Sequence, residues 1–331
     1  MKSRYSRWVQ EHEVPVFCTD WWLDAVCGAD NWDVAGYRNA DGLEVYWPFH
    51  FKRKWGMKVI VMPKLTQKLD IQWNDHAWKD GGAAVVHDVM NHLLNQMPSV
   101  HFIDQAMQLP PTYAMSLLEQ GFTETLCYTY VIPDLSDLDD VLSKFSKSKR
   151  KDVRKGENLF EVRYDMLPSE WYDFHQMALM KQGKQISYSR DFFEQVAAAA
   201  LQRNAGRIMC VVDTVGQIHS ALFMVWDQSR AYLLLSSYDP DFKTSRSFPF
   251  LLSRAIEEAS KHTKMFDFEG SMIQGVEAEN RQYGSEQQTY SVLSKCCSIP
   301  SHLRANWMRL KQVIWSVPLL LPSFIGLGVV I

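Results

Sequence analysis

The chain has 331 residues, 47% of them hydrophobic and 22% charged, with a formal net charge of -3 at pH 7. That length and apolar content suffice for two ordinary cores and exclude a disordered chain. The slightly acidic balance excludes a protein that coats nucleic acid over its whole surface, so any anion site has to be local.

The first fifteen residues, MKSRYSRWVQEHEVP, mix charged and polar side chains with no apolar run, so a cleaved secretory signal is not expected. From Trp32 to Lys52 two alternating apolar runs flank a turn carrying Asn39 and Asp41-Gly42, a hairpin signature. A strand over Met57 to Met62, a helix over Ala83 to Gln96 and the strand VHFIDQ (Val100 to Gln105) follow. Leu118 to Gly121 ends on a residue suited to the left-handed helix stop, and ETLCYTYVI (Glu124 to Ile132) closes the half as a final strand.

Leu135 to Asn158 then reads as an amphipathic helical connector, with Leu138, Val141, Leu142 and Phe145 at helical spacing. Its basic run (Lys144, Lys147, Lys149, Arg150, Lys151, Arg154, Lys155) is either a grip on phosphates of a nucleotide, a tRNA end or a lipid pyrophosphate, or a solvated helix face. Beyond it come a strand (Leu159 to Tyr164) and helices over Pro168 to Lys181 and Arg190 to Asn204. The earlier order then repeats. A hairpin spans Arg207 to Asp213 and Gln217 to Trp226 around Val215-Gly216, with a strand Ala231 to Tyr238 and a helix Phe248 to His262 after it. The strand KMFDFEGS (Lys264 to Ser271), a glycine stop at Arg281 to Gly284 and the strand EQQTYSVLS (Glu286 to Ser294) complete the copy.

The expected fold class is therefore a duplicated α/β (α+β) domain, each copy a mixed, mostly antiparallel sheet flanked by helices. The boundaries fall at 1–134, a basic connector 135–158, 159–295 and an apolar tail 296–331. The second half, being the fuller copy, is expected to carry the active site. Val313 to Ile331 is uncharged and follows Arg304, Arg309 and Lys311; it reads as a tail against one domain or as a peripheral membrane contact, its prolines and glycines opposing a spanning helix.

Six cysteines show no CxxC spacing, and the adjacent Cys296 and Cys297 cannot close an ordinary disulfide, which points to reduced thiols and a cytoplasmic chain. The histidines are scattered, and His87 and His92 stand five apart, off a common helix face, so no metal site is expected. Ser236 and Ser271 lack the GxSxG setting of a hydrolase nucleophile. Most tryptophans of the first half belong to its core, while Trp73 and Trp78 flank the polar stretch NDHA and are candidates to line an acceptor cleft.

The order strand, two helices, three antiparallel strands, helix, strand, helix, strand resembles the GNAT acyltransferase fold, and its duplication resembles the FemAB/FemX peptidoglycan-bridge transferases. FDFEGSMIQGVE (Phe266 to Glu277) with Gln282-Tyr283-Gly284, WWLDAVCG (Trp21 to Gly28), MPKLTQKL (Met62 to Leu69) and the basic SKSKRKDVRK (Ser146 to Lys155) are similar to segments of that family. The resemblance covers about Phe17 to Lys295 and implies transfer of an acyl or aminoacyl group to an amine, from an acyl-CoA such as acetyl-CoA or from an aminoacyl-tRNA. The acceptor it implies is an amine-bearing small molecule or cell-wall precursor, reached at the inner face of a membrane.

An amine attacks a carbonyl only when neutral, so a carboxylate base is needed. Asp267 and Glu269 alternate along one short strand and are expected to share a face, where two like charges raise one pKa. Tyr238 is the candidate proton donor to the leaving group. Ser236, Lys243, Arg246 and Ser247 form the donor loop at a helix N-terminus, and Trp73, Arg281, Lys149 and Arg150 are candidates for substrate contact. The loop Ser236 to Ser247 departs from the family pattern in containing no glycine. The rival reading, a non-catalytic duplicated scaffold that binds an anionic ligand or partner, rests on that departure.

Overall fold

The computed structural model describes residues 1–54, 56–74, 83–269 and 274–298. The expectations placed on Trp78, Ser271 and the apolar tail lie outside them. Among the described residues the chain divides into two compact units, 1–127 with 289–298, and 128–288.

In the first unit α1 (Lys2–Glu11) and α2 (Asp20–Cys27) precede the antiparallel strands β1 (Trp32–Arg38), β2 (Glu44–Lys54) and β3 (Met57–Val61). A two-residue strand β4 (Gln72–Trp73), α3 (Ala83–Gln96), β5 (Phe102–Met107) and α4 (Pro111–Glu119) follow, and β6 (Thr123–Ile132) begins here. Thr19 caps α2 by accepting the Trp22 amide, and Pro111 opens α4 at the position where a missing amide costs nothing. β5 runs parallel to β3. Two apolar clusters cover the sheet, one with Trp47, Phe49 and Tyr113, the other with Tyr5, Trp8, Trp32 and Tyr46.

The second unit contains the connector, which is two helices rather than one: α5 (Leu138–Ser143) and α6 (Lys147–Leu159). Ser146 breaks them by capping α6, its hydroxyl accepting the Lys149 amide at 3.3 Å. Then come β7 (Glu161–Arg163), α7 (Pro168–Met180), α8 (Arg190–Gln202), β8 (Gly206–Val212), β9 (Ile218–Trp226) and β10 (Arg230–Tyr238). A 3₁₀ turn (Pro240–Ser245) leads into α9 (Ser247–Ser260), with β11 (Met265–Asp267), α10 (Gln274–Arg281) and the start of β12 (Glu286–Cys296) beyond. β11 lies parallel to β10, as β5 lies to β3. One cluster of buried side chains, including Phe145, Phe250, Phe266, Phe268 and Tyr283, sits between the sheet and α5, α6 and α9.

The duplication expected from the sequence is thus present: hairpin, strand, helix, strand, helix and strand recur in order, with β4 added in the first repeat and β7 in the second. Gly121 and Gly284, the two predicted helix stops, both take positive φ, at 86° and 69°. What the sequence does not convey is where the last strand of each copy goes. β6, the last strand of the first repeat, pairs with β11 in the second unit, with Phe266 opposite Ile132. β12, the last strand of the second repeat, pairs with β5 in the first unit, from Ser291 opposite Met107 to Cys296 opposite Phe102. Each sheet is completed by the other repeat's final strand. No helix among the described residues is long and apolar enough to cross a membrane.

Candidate active site

β10 reads RAYLLLSSY: apolar and buried along most of its length, then polar while still buried at Ser236 and Ser237. Buried hydroxyls need partners, and these come from the neighbouring elements. Ser237 faces α7, where the His175 Nδ1 meets its hydroxyl. His175 stacks on Trp171 with ring centroids 4.6 Å apart, and burial lowers its pKa to about 4, so its imidazole is neutral at pH 7. Tyr238 stands opposite Ser220 of β9, and the Ser247 hydroxyl at the start of α9 donates to the Ser220 hydroxyl at 3.0 Å. Alternation along the strand puts Ser236 on the Tyr238 face. Burial raises the Tyr238 pKa above the ordinary phenol value, which keeps its proton in place near neutrality.

The turn into α9 is fixed from two sides. Asp239, itself buried, accepts the Asp241 amide, and Lys181 at the end of α7 donates to both Asp239 carboxylate oxygens at 2.7 and 2.9 Å and to Asp241 at 2.5 Å. Those bonds hold the Lys181 pKa above its ordinary value. Arg246 occupies the N-cap of α9 in the left-handed region, at φ 52°, and gives the helix no side-chain cap; the first turn carries no acidic residue. That end carries the amides of Ser247 and Phe248, Pro249 having none, and lies beside the exposed Lys243 and the mostly exposed Arg246, whose guanidinium is 3.7 Å from Asp152. Arg246 takes the left-handed conformation that glycine adopts most readily, at a cost of about 1 kcal/mol in backbone strain.

Four predicted residues, Ser236, Tyr238, Arg246 and Ser247, thus gather at the end of β10 and the start of α9, with Lys243 on the joining turn. The predicted carboxylate pair does not gather. β11 ends at Asp267, and Glu269 has φ 50°, so the alternation that would have aligned the two acids is broken. Asp267 is fully buried and faces a cation rather than a like charge: Arg230 donates to its Oδ2 at 2.7 Å, Thr129 donates to its Oδ1, and the Glu269 amide reaches the same oxygen at 2.8 Å. Burial works against the Arg230 charge, but Asp267 more than offsets it and the Arg230 pKa is raised. In register Asp267 stands beside Tyr232, six residues or about 20 Å along β10 from Tyr238. Glu269 lies past the end of β11, and parallel pairing sends that chain toward the Tyr238 end.

The predicted substrate contacts are dispersed. Lys149 is buried and bound to Glu279, its ammonium 5.1 Å above the Tyr283 ring, so it serves the packing of α6 against α10 and is not open to a substrate. Arg150 donates to the Ser143 carbonyl, and Arg281 pairs with Glu277 at 2.8 Å. Trp73, on β4 of the first unit, lies 5.5 Å from the Tyr113 ring. Sequence reading missed His175, Lys181 and Asp239. The buried-polar end of an otherwise apolar strand was the signal for their neighbourhood, while the partners themselves lie 62 and 58 residues away. Among the described residues no group of three or more histidine, cysteine or acidic side chains gathers as a metal site would require.

Residues 143–278 match the family model described as "Acetyltransferase (GNAT) domain". The C-terminal region of the chain carries a GNAT domain, and acyl transfer is the class of activity that domain supports. The doubled fold is that of FemX, whose crystal structure superposes with a TM-score of 0.66 over 88% of this chain and 95% of that one, at 11% identity. The C-terminal domain of a putative lysylphosphatidylglycerol synthetase from Agrobacterium fabrum gives 0.54 over 99% and 96%, at 12% identity. L-PGS from Bacillus licheniformis gives 0.53 over 96% and 97%, at 10%. At such identities these likenesses speak of the fold. No curated protein sequence matches the chain.

Proposed function

We propose that the protein is an acyltransferase that moves an acyl group from an acyl-CoA to an amine acceptor, with the donor held by the second unit. The observation that carries this reading is the junction of β10 and α9: a strand ending in buried hydroxyls and a tyrosine, then a helix start without cap or acid, flanked by Lys243 and Arg246. An uncapped helix N-terminus with adjacent cations suits a pyrophosphate, so the residues present fit such a donor. When bound, the donor supplies an activated thioester carbonyl.

The chain's own groups then have distinct tasks. Lys243, Arg246 and the Ser247 and Phe248 amides of α9 hold the phosphates. Glu269, directly or through water, takes the proton that makes the acceptor amine neutral, a contribution of about 10² to 10⁴ in rate. The amine nitrogen forms the new C–N bond as the C–S bond breaks, Tyr238, kept protonated by its burial, delivers a proton to the departing sulfur, and the proton that the nitrogen sheds on becoming an amide restores the tyrosine. Asp267 acts at a distance, by fixing the Glu269 amide. Lys181 and Asp239 position the turn.

The test is release of free CoA thiol from acetyl-CoA in the presence of a panel of amines: lysine, aminosugars, polyamines and amino-terminal peptides. Thiol release that depends on an amine, with matching acylated product by mass, supports the reading. Glu269→Gln is expected to lower turnover at least a hundredfold while leaving the affinity for acetyl-CoA within about twofold. Full activity in that variant would remove Glu269 from the mechanism.

A further inference from the structure

Most lysines and arginines of the second unit are spoken for. Lys144, Lys181, Arg190, Arg207, Arg254 and Lys261 each form an ion pair with an acid, as do Arg163, Arg230 and Arg281. α6 is different. Its inward face is Lys149, Asp152, Val153 and Gly156, the glycine lying so close to Phe250 of α9 that an added Cβ would stand 2.4 Å from the Phe250 Cβ. Opposite that face, Lys147, Lys151, Arg154 and Lys155 fall at i, i+4, i+7 and i+8, within one stripe. All four are exposed, and none makes an ion pair among the described residues.

Four like charges side by side on one helix destabilise it by a few tenths of a kcal/mol per pair, and this chain has acids enough to neutralise them. α6 is held in place by its close packing on α9, so the stripe is presented rather than melted. The protein's net charge of -3 makes it a local cationic feature on a weakly acidic molecule.

We propose that this face of α6 docks on an anionic membrane surface, its cations reading lipid phosphates. What favours a bilayer over nucleic acid is the rest of the sequence. The same chain carries the uncharged apolar stretch Val313 to Ile331 after Arg304, Arg309 and Lys311, a second and hydrophobic signal that a nucleic-acid surface would not use. Stable peripheral attachment takes two such signals, and a basic patch with an apolar segment is one of the sufficient pairs. Each cation near an anionic leaflet is worth roughly fivefold in binding, so the four together account for several hundredfold. The inference is independent of the acyltransfer reading.

The test uses the full chain and co-sedimentation with vesicles of phosphatidylcholine alone, or with about one third phosphatidylglycerol. Binding is expected to rise steeply with the anionic lipid and to fall with salt, since screening weakens exposed charges. Replacing Lys147, Lys151, Arg154 and Lys155 together with Gln is expected to cut binding to anionic vesicles roughly a hundredfold or more, with the circular dichroism spectrum unchanged and any binding to neutral vesicles retained. Were that variant to fold poorly, the pair Lys151→Gln and Arg154→Gln should still lose roughly twentyfold. Equal binding of parent and variant to anionic vesicles would overturn the proposal, as would parent binding indifferent to lipid charge. Stripe-dependent binding to a duplex RNA, with none to the vesicles, would overturn it in favour of nucleic acid.

Discussion

The two repeats differ most at the connection between the third strand and the following helix. In the second repeat β10 passes into α9 through residues 239–246, so the helix begins directly at the end of the strand. In the first repeat the way from β3 to α3 runs over residues 62–82 and includes β4. β3 ends apolar, in Ile60 and Val61 followed by the buried Met62, where β10 ends in Ser236, Ser237 and Tyr238. Among the described residues, a strand ending in buried hydroxyls that leads into an uncapped helix is seen in the second unit, and the proposed donor is assigned there.

The strands that follow that helix, β5 and β11, teach the opposite lesson. Asp104 on β5 accepts a hydrogen bond from Ser294 on β12, and Asp267 on β11 accepts one from Thr129 on β6. In both units an aspartate of that strand takes a hydroxyl from the strand that the other repeat supplies. A contact that recurs in both units is a contact of the fold, so Asp267 belongs to the architecture. The largest expected effect follows from it. Asp267→Ala leaves Arg230 buried without its counter-charge and is expected to cost about 3–5 kcal/mol in urea unfolding. Asp104→Ala loses the hydrogen bond from Ser294 and should cost about 1–2 kcal/mol. Equal losses would break the distinction.

The shared framework was legible in the sequence because its signals are local. Alternation, helical spacing and the two glycine stops placed the repeated strands and helices within a few residues, whereas α1, α2 and β4 were not read and the connector divides into two helices. The exchange of final strands was not, because ETLCYTYVI and EQQTYSVLS carry the same period and nothing local says which sheet each will meet. The site was half legible. Ser236, Tyr238, Arg246 and Ser247 gather because they are near in sequence, whereas Arg230 with Asp267, His175 with Ser237 and Lys149 with Glu279 join residues 37, 62 and 130 apart. The expected carboxylate pair failed because β11 stops two residues before Glu269.

Acid should affect both units in parallel. His50 in the first unit and His175 in the second each have a pKa lowered by burial to about 4. The unfolded chain protonates them near 6.5 and the folded chain only near 4, so the unfolded state holds more protons between those values. Stability is therefore full above about pH 6.5 and is lost as pH falls toward 4, by roughly 3 kcal/mol per histidine at most. Unfolding midpoints measured from pH 7 to 4 should fall, and His175→Gln should flatten the curve; an unchanged curve would contradict the neutral buried imidazole.

A smaller effect is expected at the turn. Lys181→Met removes the cation that holds the buried Asp239 and the exposed Asp241, and is expected to weaken acetyl-CoA binding by about threefold to tenfold and to lower the unfolding midpoint less than Asp267→Ala does, because Lys181 is partly exposed. A variant that binds as the parent does would show that the turn holds its shape without it.

The most direct measurement is calorimetric titration of the full chain with acetyl-CoA, in parallel with Arg246→Ala and with Lys58→Ala, an alteration on β3 of the first unit. The account predicts one saturable site, weakened about tenfold to a hundredfold by Arg246→Ala and untouched by Lys58→Ala. Absence of saturable binding, or binding that survives Arg246→Ala at full strength, would contradict a donor site at the start of α9.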